Sequence, residues 1–168
     1  MTEHTKEKTM FDVLAIVALV AATIAAGLIA GLFYAYACSV MPGLALADDR
    51  SFVVAMREIN VAILNGWFAL TFAGAPVLAV VAGLLHLRGS ALPWIVTGFV
   101  CLVVMLVITM AVNVPLNNAL EAGRDSADFA ALRGRFESSW VRWNLVRALV
   151  CTLGFGSQGW ALVVRGRA

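Results

Sequence analysis

Four side chains near the last apolar run could do chemistry where lipid tolerates few polar groups. Trp140, Asn144 and Arg147 recur at steps of four and three residues, which places them on one helix face, with Trp143 one turn before Arg147. An arginine at the centre of a span costs about 2.5–3.5 kcal/mol and usually faces a partner or a wet cavity. The pattern predicts a polar anchor, and snorkelling of Arg147 to the headgroups is the structural alternative.

Two prolines interrupt apolar runs and come with nearby asparagines. Pro42 and Pro115 each lack a backbone donor, so the carbonyls of Cys38 and Ala111 lose their usual helical partners. Such groups need hydrogen bonds in a dry environment, and asparagine amides can either satisfy them or bind a ligand. The asparagines at similar depth are Asn60, Asn113, Asn117 and Asn118.

Metal and redox chemistry find little support in the residues. No pair of His, Cys, Asp or Glu has the spacing of metal ligands, and no Ser-His-Asp or Cys-His set is visible. We predict no metal and no cofactor, with haem as an alternative through His86, the one credible axial ligand. Because Cys38, Cys101 and Cys151 lie in apolar runs, we predict that they form no disulfide.

The elements that position these residues are predicted to be membrane helices. The chain is 62% hydrophobic and 13% charged, whereas soluble domains average roughly 45–50% apolar and about 25% charged residues. This composition excludes a soluble fold and favours an all-α integral membrane four-helix bundle, formed as one domain by residues 1–168. The predicted spans lie near 11–40, 62–87, 92–113 and 141–164.

Two connecting segments, residues 41–61 and 114–140, are predicted to lie on the outer side. Each contains a short amphipathic helix, capped by Asp48 or Asp49 in the first segment and by Ser126 in the second. The two halves share an order of span, X-Pro break, amphipathic helix, asparagine and span. This order indicates a weak internal repeat, and substrate sites in repeat-built membrane proteins lie at the interface between repeats.

Charge predicts orientation and excludes one class of partner. With both termini in the cytoplasm, the positive-inside rule is satisfied by Lys6, Lys8, Arg88, Arg165 and Arg167. The net charge of +2 is too small and too scattered for nucleic-acid binding. The expected partners are the lipid bilayer and a small apolar molecule.

Small residues recur within the apolar runs. Gly27 and Gly31 form a G-x-x-x-G pair, and Gly154, Gly156 and Gly159 spell G-x-G-x-x-G inside an apolar helix. No strand precedes the second motif, so it indicates helix packing rather than nucleotide binding. The same faces could also form a homo-oligomer.

Four elements together resemble the anthrone-oxygenase-like family of small membrane proteins. They are Met41-Pro42-Gly43-Leu44, Glu58-Ile59-Asn60, Asn113-Val114-Pro115-Leu116-Asn117 and Trp140-x-x-Trp143-Asn144-x-x-Arg147. The similarity runs from the first span to the fourth. It implies oxidation of an anthrone to an anthraquinone by dioxygen without an evident cofactor, as is thought for fungal relatives, whereas many bacterial relatives have no assigned function.

The favoured hypothesis is an oxygenase-like enzyme whose substrate is flat, apolar and phenolic, of the anthrone or hydroquinone class. Its outer-side site needs an aromatic wall, donors for a developing oxyanion and a base. The candidates for the wall are Trp67, Trp140 and Trp143. The candidate donors are Asn60, Asn117, Asn144 and Arg147, with Asn113 contacting substrate. Glu58 is the candidate base.

Two non-catalytic alternatives stay open at this point. The same polar pocket could bind a quinone, a lipid or another amphiphile without turnover. The chain could instead be a structural or haem-binding membrane subunit, because one scaffold can host unrelated functions.

Overall fold

The structure, a computed structural model, describes residues 3–167 as helices joined by short turns, without a strand in that range. The all-helical prediction is therefore confirmed. In chain order the elements are α1 (Glu3–Ala35), π1 (Tyr36–Val40, a π-helical segment), α2 (Met41–Ala45), α3 (Asp49–Ala62), α4 (Gly66–Leu85), α5 (Leu92–Ile108), π2 (Thr109–Asn113, also π-helical), α6 (Val114–Ala122) and α7 (Phe129–Arg165).

Four long helices pack together because each carries apolar side chains around most of its circumference. The helix α7 packs along both α1 and α5, whereas α4 packs mainly on α1 and more sparsely on α5. The central core contains Ala26, Ile29, Phe33, Ala75, Leu102, Met105 and Cys151. The shorter helices α2, α3 and α6 lie at one end of the bundle, which we call the outer end.

Three helical segments of the described chain are long and apolar enough to cross a membrane: Lys6–Ala45, Gly66–Leu85 and Leu92–Ala122. The chain is therefore an integral membrane protein. The helix α7 is not among them, since its apolar stretch is interrupted by Arg147, Ser157 and Gln158. Its predicted role as a fourth span stays a prediction.

The two prolines do not break the helices, contrary to the sequence-based expectation. The amide of Met41 donates to the carbonyl of Tyr36, and that of Val114 donates to the carbonyl of Thr109, both five residues back. A proline lacks the N–H and its ring clashes with the carbonyl four residues earlier, so a wider π turn lets the helix continue past it. The first and third spans therefore extend beyond residues 40 and 113 into α2 and α6.

Aspartates cap the two helices that follow these prolines. Asp48, not Asp49, is the cap of α3: its Oδ1 accepts from Ser51 N at 3.0 Å and its Oδ2 from Ser51 Oγ at 2.6 Å. These hydrogen bonds hold the pKa of Asp48 below its usual value. The predicted cap Ser126 is wrong, because Asp128 Oδ1 accepts from Ala131 N at 3.0 Å.

A second apolar cluster fills the outer end. The amphipathic face of α3 packs against α6 and the first turns of α7 through Met41, Phe52, Val53, Met56, Leu120, Phe136 and Trp140. Arg133 of α7 donates to the carbonyls of Ala45 and Ala47 at 3.0 and 2.9 Å and to Asp49 Oδ1 at 3.1 Å. These bonds fasten the turn between α2 and α3 to α7.

The helices α5 and α7 approach closely at a pair of glycines. A Cβ placed on Gly98 would lie 2.6 Å from Gln158 Cγ and 3.1 Å from the carbonyl oxygen of Gly154. A Cβ placed on Gly154 would lie 2.9 Å from Cys101 Cβ. With Gln158 and Cys101 in place, both positions therefore require glycine for the observed helix separation.

The glycines predicted to pack helices fall into two groups. A Cβ on Gly27 would lie 3.0 Å from the ring of Phe155, so Gly27, like Gly154, lies at a helix contact. Nothing lies within 4 Å of a Cβ added to Gly31, Gly156 or Gly159. Only one glycine of each predicted motif therefore serves contacts within the bundle.

Candidate functional site

A cavity of about 720 Å³ lies inside the outer end of the bundle, and we call it the outer cavity. Its walls come from the end of α1, the end of α3, the start of α4, π2 with α6, and α7. Six of the nine residues predicted for the site line it: Asn60, Asn113, Asn117, Trp140, Asn144 and Arg147.

The guanidinium of Arg147 lies between aromatic rings and two polar side chains. Its Nη2 donates to Asn144 Oδ1 at 3.1 Å, and its Nη1 donates to Thr109 Oγ1 at 3.4 Å. Its Cζ lies 4.3 Å from the ring centroid of Phe33 and 5.4 Å from that of Trp140. These contacts hold the planar guanidinium inside the protein, with only 5% of the residue exposed.

The charge of Arg147 has no counter-ion in the described part of the chain. None of the ion pairs among residues 6–167 includes Arg147, and its Nε has no hydrogen-bond partner there. A buried cation without an anionic partner is energetically costly, so an anion in the cavity would be strongly attracted to it. The aromatic faces beside it supply part of this compensation through cation–π contacts.

Asn144 connects α7 to α1. Its Nδ2 donates to the carbonyl of Phe33 at 3.1 Å, while its Oδ1 accepts from Arg147. Thr109 in turn donates to the carbonyl of Met105 at 2.8 Å, which fixes its oxygen as the acceptor for Arg147. One chain of hydrogen bonds therefore joins α1, α7 and the start of π2 at the inner wall of the cavity.

Trp140 forms one side wall. Its Nε1 donates to Asn117 Oδ1 at 2.8 Å, and its ring centroid lies 5.6 Å from that of Tyr36. The bond to Asn117 fixes the indole plane, because an indole has a single donor. The amide group of Asn117 keeps its own N–H donors for a ligand.

Asn113 is the least satisfied polar side chain of the cavity. It is 1% exposed, and neither its Oδ1 nor its Nδ2 has a hydrogen-bond partner within the described residues. A buried amide in this state costs about 1–3 kcal/mol, so such groups in native proteins usually serve a ligand or water.

Arg57 belongs to the cavity and was missed by the sequence reasoning. It is 5% exposed, and its Nε and Nη2 both donate to the carbonyl of Leu120, at 3.0 and 2.8 Å. Its signal was present in the sequence, because Val53, Arg57 and Asn60 follow at helical steps on the buried face of α3.

Three predicted site residues lie outside the cavity lining. Glu58 is exposed, because one residue of helix turns its side chain about 100° away from Arg57. Trp67 is 82% exposed on α4, and Trp143 is half-buried on α7 without lining the cavity. The carboxylate that does line the cavity is Glu121, which pairs with Arg124 at 2.5 and 3.0 Å.

Phenylalanines supply the rest of the aromatic wall. Phe68 and Phe72 of α4 stack with their ring centroids 4.8 Å apart, and both line the cavity together with Phe33. Their spacing of four residues is a helical signal that the sequence reasoning passed over in favour of Trp67.

His86 lies at the opposite end of the bundle, beside a second cavity of about 810 Å³. Its Nδ1 is 2.7 Å from the carbonyl of Ala82, and its Nε2 has no partner in the described chain. Among the residues that the structure describes, no group of three or more His, Cys, Asp and Glu side chains could hold a metal ion. A haem bound through His86 stays a prediction.

Comparison with known proteins gives one match. The family model described as "Anthrone oxygenase" matches residues 59–157, which run from the end of α3 into α7 and include every polar residue of the outer cavity except Tyr36 and Arg57. No curated protein and no solved structure matches the chain. Because the matched range covers more than half of the sequence, the chain belongs to the anthrone oxygenase family.

Proposed function

We propose that the protein is a membrane-bound oxygenase whose substrate is a flat, apolar phenol of the anthrone or hydroquinone class, bound in the outer cavity. One observation carries this proposal: Arg147, a buried arginine with no counter-ion among the described residues, lies beside aromatic rings that line a large apolar cavity. Such a site favours a ligand that is both planar and able to become an anion. Membership of the family supports oxygenase-like chemistry in general.

The proposed reaction begins with loss of a proton from the substrate. For an anthrone, the resulting enolate gives electrons to dioxygen, the ring methylene carbon loses its second hydrogen and gains one oxygen atom, and the other oxygen atom leaves as water. Arg147 stabilises the anion before and during this oxidation, because its charge is preorganised and shielded from water. No metal or organic cofactor is part of the proposal.

Three amide side chains orient the substrate and Arg147 in this scheme. Asn113 and Asn117 offer side-chain groups to its oxygen atoms, and Asn144 holds the guanidinium of Arg147 in place. Glu58 is exposed outside the lining, so the proposal assigns the departing proton to water at the polar rim of the cavity. That rim carries the exposed Asn65 and Asn118.

Two features of topology form part of the same proposal. The helix α7 crosses the bilayer as a fourth span, and both termini lie in the cytoplasm. The outer cavity then lies toward the side of the membrane away from the cytoplasm. Labelling of single cysteines at positions 89 and 126 tests this arrangement, because only position 126 should react with an impermeant reagent added outside.

A second candidate is a binding protein that does not turn its ligand over. It is favoured by one observation: the carboxylate of the lining, Glu121, is already paired with Arg124 and is a weak base for that reason. The same cavity would then hold a quinone or another amphiphile without oxidation.

The deciding experiment replaces Arg147 by lysine and by alanine in membranes with matched expression, and the melting temperature of each variant is measured beside its activity. Dioxygen uptake and product formation are measured on a panel of anthrones and hydroquinones. Both variants should lose roughly 100-fold in rate. Alanine removes the charge, and the ammonium of lysine cannot reproduce a planar guanidinium that bonds to Asn144 and Thr109 and also faces two aromatic rings. Arg142→Lys is the matched control, since Arg142 is exposed on the same helix and should keep full activity.

The outcomes separate the candidates. Full activity in Arg147→Lys would remove Arg147 from the site. Ligand binding that depends on Arg147 without any oxidation across the panel would establish the binding protein instead. A drop in melting temperature for both Arg147 variants, with unchanged activity per folded molecule, would assign the arginine to structure alone.

A further inference from the structure

The outer cavity has two differently built edges. The edge at the junction of α3 and α4 and along α6 carries exposed asparagines, Asn65 and Asn118. A second edge lies between α4 and π2 and is formed by Ala69, Ala73 and Met110. These three residues line the cavity and are also exposed, with Met110 63% exposed. We call this second edge the side opening.

The side opening lies at membrane depth. Ala69 and Ala73 belong to the apolar span Gly66–Leu85, and Met110 belongs to Leu92–Ala122. Ala73 lies seven residues into its helix, which is about 10 Å from the start at a rise of 1.5 Å per residue. A surface at this depth contacts lipid chains rather than water.

The opening exists because small side chains face a sparsely packed seam. The helix α4 packs mainly on α1, and at the seam with α5 and π2 it presents alanines one turn apart. Beyond them the cavity wall is the stacked pair Phe68 and Phe72. The three residues of the side opening and the two phenylalanines behind them are all apolar.

The polar and the apolar side chains therefore line different sides of the cavity. The hydrogen-bonding groups of Arg147, Asn144 and Asn113 lie on the side of α7 and π2, whereas the side toward α4 is hydrocarbon. A molecule that fits both ends has a planar polar head and an apolar substituent.

From this arrangement we infer that the substrate is an amphiphile, a phenolic head with an alkyl or isoprenoid tail, which enters from the bilayer and leaves its tail in the side opening. The inference rests on the proposed function, because it takes the outer cavity as the substrate site, and it narrows the substrate to the tailed members of that class. The tail gains little free energy by moving from lipid to an apolar seam, so its effect is to concentrate the substrate in the membrane and to set its direction of approach.

The test uses a decyl-tailed hydroquinone with a diazirine at the end of the tail, bound to the full chain in lipid nanodiscs. Photolysis and peptide mapping should place the label on Met110 and on the α4 residues Ala69 and Ala73. Excess methylhydroquinone, which has the head without the tail, should abolish this label. Non-specific labelling from the bilayer would persist under the same competition.

Paired variants of α4 make the test quantitative. Ala73→Trp places an indole in the side opening and should weaken binding of the decyl-tailed probe about tenfold more than binding of methylhydroquinone. Val77→Trp is the matched control, because Val77 is 61% exposed on the same helix face, one turn farther along, and does not line the cavity. It should leave both probes unaffected.

The results separate this inference from the proposed function. Oxidation of methylhydroquinone, with no competed label at the side opening and equal binding in both tryptophan variants, would overturn the inference alone. Competed labelling at Met110, together with a selective loss of binding of the tailed probe in Ala73→Trp, would support the inference even if no substrate is oxidised. The lack of oxidation would then overturn only the proposed catalysis. A competed label confined to residues near Asn65 and Asn118 would overturn the inference by showing access from water.

Discussion

The two π-helical segments have the same backbone geometry but differ in their buried side chains. Each ends two residues before a proline, Pro42 or Pro115, and each is closed by an amide that donates to a carbonyl five residues back. None of the residues of π1 is buried, whereas π2 buries Thr109 and Asn113. The position of the proline therefore explains the shared backbone geometry. The residue types of π2, and not those of π1, bring buried polar groups to the cavity.

Among changes to the two π-helical segments, exchanging residues between equivalent positions should have the largest effect. Asn113 and Val40 each stand two residues before their proline. Asn113→Val should lower the oxidation rate or ligand affinity by at least about tenfold, since it removes unpartnered buried groups that are free to bind a ligand. The melting temperature should stay equal or rise, because an unsatisfied amide disappears.

The reverse exchange, Val40→Asn, is its control. The rate should change by less than about twofold, because Val40 does not line the cavity. Rates and melting temperatures in matched membranes measure both exchanges. An equal loss of activity in the two variants would show that π1 and π2 contribute equally to the site, which would contradict the difference inferred between them.

Removing each proline in turn should have a smaller effect. Pro115→Ala restores an N–H and allows π2 to return to α-helical pairing, which would turn the residues before it by about 100° relative to α6. Activity should fall about fivefold, through displacement of Thr109 and Asn113. Pro42→Ala should cost less than about twofold, because of the π1 residues only Tyr36 lines the cavity.

Hydrogen exchange at the restored amides would report whether each turn has closed. If Pro42→Ala proved the more damaging change, the position of Tyr36 would matter more than the polar groups of π2.

The smallest effect concerns a feature that both halves share, the aspartate caps. Asp48→Ala and Asp128→Ala should each lower the melting temperature by a few degrees at neutral pH, since each removes an acceptor for a helix N-terminal amide. Asp48 has a folded-state pKa below its unfolded value because it accepts from Ser51. Its stabilisation is therefore complete above the unfolded pKa of about 3.9 and is lost as the pH falls through the lower folded value.

Melting curves from pH 7 to pH 3 would measure this effect. The gap between the wild type and Asp48→Ala should narrow toward the acid end. Asp48→Asn keeps a capping oxygen without a titrating charge, so the gap between Asp48→Asn and Asp48→Ala should stay nearly constant. A gap that widens in acid would contradict the assigned sign.

Helical periodicity in the sequence was enough to predict the apolar helices and one wall of the site. Trp140, Asn144 and Arg147 line one cavity as their spacing indicated. The π turns could not be predicted. A proline removes the hydrogen bond to the carbonyl four residues earlier, and this loss is compatible both with a break in the helix and with a wider π turn. Glu58 and Trp67 were chosen for residue type and nearness in sequence, whereas Arg57 and Phe68 have the helical register that faces the cavity.

The contact between Gly98 and Gly154 has a consequence for how sequences of this family can diverge. A methyl group on Gly98 would meet Gln158 at 2.6 Å, so residues 98 and 158 cannot change independently. Alanine at position 98 should arise only in lineages where position 158 has already become smaller. Because the two residues lie on different helices and must change in this order, positions 98 and 158 should covary. An alignment of relatives would show this covariation without any measurement on the protein.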